Sequence, residues 1–193
     1  MFLSVFDMFK IGVGPSSSHT IGPMVAAARF LDHLRAQPFQ VAGLRASLHG
    51  SLAFTGVGHA TDRAVILGLA GFRADDYDAD RAEAELAQIK TNGTVSPEGL
   101  GELQFRPDDH LVFDYGPPLH GHANGLILRG VDAQGDVIID VTYYSIGGGF
   151  VLTDTELASG KDTDNGPTVP YPFHTARQML KMAQQSGRHE TRQ

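Results

Sequence analysis

Apolar side chains recur every three or four positions along residues 22–36, where Met24, Ala27, Ala28, Leu31 and Leu34 share one face. That spacing predicts an amphipathic helix, with Pro23 in its first turn and Thr20 as an N-cap residue. From Val41 to Leu48 the period drops to two. Ala42, Leu44, Ala46 and Leu48 alternate with Val41, Gly43, Arg45 and Ser47, which predicts a strand with one apolar face. The segment "GSLAFTGVGHATD" reads as a glycine-rich bend, after which Ala64, Val65, Leu67, Gly68 and Leu69 resume helical spacing behind Thr61 or Asp62 as cap. A third helix is predicted in "DADRAEAELAQIK", capped by Asp78 or Asp80, and the Asn, Gly and Pro between Thr91 and Gly101 predict a loop.

Beyond Gly101 the alternation takes over. "ELQFR", "HLVFDY", "NGLILRGVD" and "DVIIDVTYYS" read as strands, "AQG" makes a tight hairpin turn around Gly135, and "GGGFVLTDTE" is a glycine bend feeding a last short strand. Residues 158–172 are linker-like, and "HTARQMLKMAQQSG" predicts one more amphipathic helix. Helices first and hairpin-spaced strands later predict an α+β fold with a largely antiparallel sheet.

Composition narrows the function classes. Lys and Arg total 15 against 22 Asp and Glu, a net charge of −7 with no block of one sign, which argues against nucleic acid or an anionic membrane as partner. There is no cysteine, so thiol nucleophiles, disulfides and thiolate metal sites are all absent from the 193 residues. The start, "MFLSVFDMFKIG", lacks a basic leading region and a small-residue cleavage site, and no run reaches the ~18 apolar residues of a membrane span. A cytoplasmic location is expected.

Four stretches have chemistry to offer. In "GPSSSHTIGP" the hydroxyls of Ser16, Ser17, Ser18 and Thr20 surround His19 at a predicted helix start, where free backbone N–H groups and the helix dipole favour a carboxylate or phosphate. The same residues also serve as an ordinary cap. In "TGVGHATD" Gly56 and Gly58 expose His59, a fair general base because histidine ordinarily titrates near working pH, with Asp62 or Thr61 in support; a plain loop histidine reads the same way. "PLHGHANG" places His120 and His122 two apart, a weak metal pair, and presents His122 and Asn124 as hydrogen-bonding groups for a small ligand. In "YYSIGGGF" Gly147, Gly148 and Gly149 after Ser145 let backbone N–H groups approach a ligand or a neighbouring chain. His33, His49, His110, His174 and His189 read as structural or surface residues.

In their order along the chain, "SVFDMFKIGVGPSSSHTIGPM", "GSLAFTGVGHATD", "HANG", "TYYSIGGGF" and "VPYPF" closely resemble the N-terminal β domain of the iron-sulfur-dependent bacterial L-serine dehydratases, from about Phe2 to Phe173. The resemblance implies conversion of L-serine to pyruvate and ammonia, assisted by a four-iron four-sulfur cluster whose cysteine ligands lie in an α domain or α chain outside this sequence. It implies a β domain over residues 1–157, with 158–193 a linker and the start of a segment leading to that α domain, so that this chain alone is inactive. It also implies His59 and His19 as catalytic residues, and substrate binding by Ser16, Ser17, Ser18, Thr20, Thr61, Asp62, Ser145 and Gly147 to Gly149. His122 and Asn124 resemble the effector turn of the allosteric-substrate-binding domain of some phosphoglycerate dehydrogenases, whose fold is carried over with it. A homodimer is expected, and no metal held by this chain. Two rival classes stay open: a stand-alone amino-acid sensor using His122 and Asn124, and a mononuclear metal hydrolase using His120 and His122.

Overall fold

The computed structural model describes residues 13–159, 171–173 and 175–186. The predictions for the N-terminal twelve residues, for 160–170, and for His174 and His189 lie outside them. Helix α1 spans Ile21–Arg35, close to the predicted 22–36. Met24, Ala27, Leu31 and Leu34 are buried as the pattern requires, but so are Ala26 and Phe30, whereas Ala28 is half-buried. The apolar face is wider than one stripe because α1 is covered on two sides.

Strand β1 (Gly43–Gly50) follows. The expected bend after it is helical instead: α2 (Ser51–Phe54) and α3 (Gly56–His59) are single turns, followed by α4 (Thr61–Leu69). The N-cap position of α4 is Ala60, in the left-handed region at φ 59°, in place of the expected Thr61 or Asp62. A short 3-10 turn leads to α5 (Ala79–Asn92), where Asp78 Oδ1 accepts from Arg81 N–H at 2.8 Å, as one of the two expected caps. Within the expected loop Thr94–Val95 forms β2, and β3 (Leu103–Gln104), α6 (Pro107–His110) and β4 (Leu111–Asp114) follow. The hairpin strands are β5 (Asn124–Val131) and β6 (Val137–Gly147), and β7 (Phe150–Thr153) and α7 (Asp154–Ala158) close the unit. Helix α8 (Ala176–Ser186) belongs to a separate compact unit.

The seven strands form one sheet in the order β2-β3-β1-β5-β6-β7, with β4 also paired to β1. It is antiparallel except where β3 and β4 lie parallel to β1. The α+β class read from the pattern is therefore present, with a mostly antiparallel open sheet. Leu44, Ala46 and Leu48 of β1 and Leu126 and Leu128 of β5 are buried with Phe30, Leu31 and Leu34 of α1. A smaller cluster, Met24, Ala64, Leu67, Phe72 and Ala82, holds α1, α4 and α5 together. Gly68 lets α1 and α4 approach, since a Cβ there would lie 2.7 Å from Ala27 Cβ and 2.9 Å from the Met24 carbonyl oxygen. That packing places the N-terminal ends of α1 and α4 side by side.

Candidate active site

The turn ahead of α1 and the short helix ahead of α4 meet at those ends. The imidazole centroids of His19 and His59 are 4.6 Å apart with their planes tilted by 34°. His19 Nδ1 lies 3.0 Å from Ser18 Oγ and 3.3 Å from Ser16 Oγ, and its Nε2 lies 3.1 Å from Ser51 Oγ. His59 Nδ1 lies 2.8 Å from the Thr55 carbonyl oxygen. A carbonyl only accepts, so in neutral His59 the proton sits on Nδ1 and Nε2 keeps the lone pair. The ring is thereby held as a base.

Burial holds the His19 titration below the ordinary 6.5, the charge of His59 lowers it further, and the Ser51 backbone works the other way. Both histidines are half-buried, which leaves one side of each ring accessible.

The backbone donors expected at the α1 terminus are largely engaged already. His19 and Thr20 donate their N–H groups to the Ser16 carbonyl, Gly22 to that of Ser17 and Met24 to that of Thr20, while Pro23 has none. The turn closes on itself, so the hydroxyls of Ser16, Ser17 and Ser18, rather than its backbone, are the groups it has to offer. Thr20, although it holds the N-cap position, makes no side-chain cap; its hydroxyl donates to the Ser16 carbonyl at 2.8 Å, with the residue 1% exposed.

Ser145 and Thr61 are each 0% exposed. Ser145 Oγ donates to the Ser18 carbonyl at 2.7 Å, and the Ser145 carbonyl accepts from Asn124 Nδ2 at 3.1 Å. Among the described residues Thr61 Oγ1 is buried without a hydrogen-bond partner, facing the position where a Cβ on Gly56 would stand. The hydroxyls of Thr20 and Ser145 tie the turn together through the Ser16 and Ser18 carbonyls. Asp62 is half-buried in the first turn of α4, and among the described residues it makes no hydrogen bond to His59, whose Nδ1 is taken by Thr55. Gly147, Gly148 and Gly149 all have positive φ, at 103°, 60° and 78°, a run that only glycine adopts readily.

The His122 turn is set apart from the histidine pair but tied to it. His122 Nδ1 accepts the Asn124 N–H at 3.1 Å, and the Ala123 carbonyl accepts from Ser51 N–H at 2.8 Å. Among the described residues no three His, Asp or Glu side chains are grouped to hold an ion, so His120 and His122 gain no further ligand there. Ser51 and Thr55 are the site residues that the sequence pattern does not flag. Their only signal is position, directly after a predicted strand and in the segment leading to His59.

Of the histidines read as structural, His49 is buried on the other face of β1, with Nε2 2.9 Å from Ser47 Oγ and Nδ1 3.6 Å from Asp114 Oδ2. His110 Nδ1 accepts the Arg106 N–H at 3.1 Å. Burial lowers the titration of His19, His49 and His110 alike. Each binds its proton less readily folded than unfolded, so stability is full above the ordinary 6.5 and is lost as pH falls below it. The urea midpoint should accordingly be lower near pH 5.5 than near pH 7.5. Equal midpoints would show that these rings are not protected in the folded state.

An open α+β unit with a hydroxyl-ringed histidine pair where two helix starts meet is the class of domain that fold and site define. Residues 4–156 match the family described as the serine dehydratase beta chain, and the chain belongs to that family. It is 41% identical over 189 residues to the L-serine dehydratase of Streptomyces coelicolor, covering 97% of this chain and 42% of that protein. To the L-serine dehydratase of Helicobacter pylori strain 26695 it is 41% identical over 181 residues, 94% of this chain and 40% of the relative. L-serine dehydratase 1 of Escherichia coli is 38% identical over 189 residues, again with 40% of the relative covered. The chain thus spans about two fifths of the length of the curated relatives it matches. No helix among the described residues is long and apolar enough to cross a membrane.

Proposed function

We propose that this chain is the β portion of an L-serine dehydratase, supplying substrate-contacting side chains to a site that a cysteine-bearing catalytic region completes. The meeting of His19 and His59 at 4.6 Å, beside the serine turn, carries the reading. In it His59 Nε2 removes the α-proton of L-serine, and the hydroxyls of Ser16, Ser17 and Ser18 hold the carboxylate. His19 lies against the base and orders the serine hydroxyls. Departure of the β-hydroxyl as water leaves aminoacrylate, which tautomerises and hydrolyses to pyruvate and ammonia. A four-iron four-sulfur cluster, when bound, supplies Lewis acidity toward that hydroxyl. With no cysteine this chain offers the cluster no thiolate, so the ligands belong to the partner region.

His122 and Asn124 form a turn suited to a small effector such as a second L-serine, in a fold like the allosteric-substrate-binding domain of phosphoglycerate dehydrogenases, within a cytoplasmic homodimer. The mostly antiparallel sheet and the position of the turn at the start of β5 support that likeness. A chimera in which this chain replaces the matching segment of the Streptomyces coelicolor relative tests the assignment. After anaerobic iron-sulfur reconstitution it should form pyruvate from L-serine. A folded, iron-loaded chimera without pyruvate formation would overturn the catalytic reading, and L-serine binding in its place would move the assignment to an amino-acid sensor.

A further inference from the structure

Strand β1 ends in a conformation that a residue with a side chain resists. Gly50 has φ 57° and ψ −130°, and a Cβ there would come within 2.3 Å of the Ala123 carbonyl oxygen. The turn it permits carries the chain off the sheet and puts Ser51 at the first position of α2. Ser51 donates its N–H to the Ala123 carbonyl at 2.8 Å, and its own carbonyl accepts the Thr55 N–H at 3.0 Å and the Thr55 hydroxyl at 2.8 Å. With both backbone groups engaged, the hydroxyl has a fixed origin, and it lies 3.1 Å from His19 Nε2.

We propose that Ser51 is a positioning residue of the histidine pair: its hydroxyl holds His19 at Nε2, so that the ring stays against His59 and keeps Nδ1 on the hydroxyls of Ser16 and Ser18. The catalytic meaning of this role rests on the dehydratase reading above; the geometry concerns this chain alone.

The two rings are held by opposite kinds of partner. His59 Nδ1 faces a carbonyl, which fixes a single neutral tautomer. His19 faces hydroxyls at both nitrogens, and a hydroxyl donates or accepts as required. Both His19 hydrogen bonds therefore survive in either tautomer, and also when the ring is charged. A ring held at only one nitrogen pivots about that bond when its proton moves. Held at both, it passes a proton without leaving its place beside the base. Because the Ser51 N–H is anchored to Ala123, between His122 and Asn124, the position of that turn sets where the hydroxyl stands.

Nuclear magnetic resonance of the histidine rings in the isotopically labelled chain tests this without iron, partner or turnover. Ser51→Ala should shift the His19 Nε2 nitrogen resonance, which loses its hydroxyl partner, and weaken the nuclear Overhauser contacts between the His19 and His59 rings. Ser51→Thr, which keeps a hydroxyl at the same distance along the side chain, should restore both. An alanine variant with an unchanged Nε2 resonance and unchanged ring contacts would overturn the proposal. Should that variant fail to fold, a folded threonine variant decides alone: native His19 ring signals support the role, and a displaced Nε2 resonance with lost ring contacts refutes it. These readouts do not depend on dehydratase activity, so the failure of one reading is separable from the failure of the other.

Discussion

Replacing His59 by alanine in the assembled dehydratase should lower the turnover of L-serine by roughly a hundredfold to ten-thousandfold, the usual cost of removing a general base. The expectation follows from the hydrogen bonding of the ring. Its Nδ1 is committed to the Thr55 carbonyl at 2.8 Å, so the free lone pair is on Nε2, the nitrogen that faces away from its own helix. His19 has no such fixed lone pair, because hydroxyls meet both of its nitrogens. The effect should appear in kcat for pyruvate formation and should persist at saturating serine, since the role proposed for His59 is on the α-proton rather than on the carboxylate. Circular dichroism of the variant should match the parent, because His59 is only half-buried on a one-turn helix. Near-normal turnover in a folded His59→Ala enzyme would assign the base elsewhere, with His19 next in line.

The second large effect is on stability. A Cβ added at Gly22 would stand 2.0 Å from Ser145 Oγ and 2.8 Å from Ser145 Cβ. Ser145 is 0% exposed and belongs to β6 near the centre of the fold, so neither atom has room to retreat. Gly22→Ala should therefore cost about 3 kcal/mol, the upper part of the range for overpacking a close-packed interior. The damage should reach the site, because the Ser145 hydroxyl that must move is the donor to the Ser18 carbonyl at 2.7 Å. Urea unfolding measures the loss. Adding Ser145→Ala removes the nearer clash and should recover part, though not all, of the stability, since the Cβ overlap and the orphaned Ser18 carbonyl remain. A Gly22→Ala chain as stable as the parent would mean that β6 and α1 are not packed this closely.

Much of the architecture was legible in the hydrophobic periods. Helix α1, strand β1 and the β5–β6 hairpin lie where the 3.6- and 2-residue patterns put them, because each must bury one face against the same core. The errors have physical causes. "GSLAFTGVGH" looks like a bend because glycine is a poor helix former, yet it forms two single turns, held by the bonds of Thr55 to the Ser51 carbonyl and of His59 to the Thr55 carbonyl. Ala26 and Phe30 were missed as core because one amphipathic stripe describes a helix packed on one side, and α1 is packed on both the sheet and α4.

The chemistry divides along the same line. The chain's residue types alone name the candidates, because a serine run around His19, a glycine-flanked His59 and the absence of cysteine limit which side-chain chemistry these residues offer. Folding assigned the roles. It buried Thr20, Thr61 and Ser145, brought Ser51 and Thr55, which no pattern marks, against the histidines, and decided which nitrogen of each ring meets a hydroxyl or a carbonyl. Those roles turn on approaches of about 3 Å between residues far apart in the chain, and local periodicity has no access to such distances.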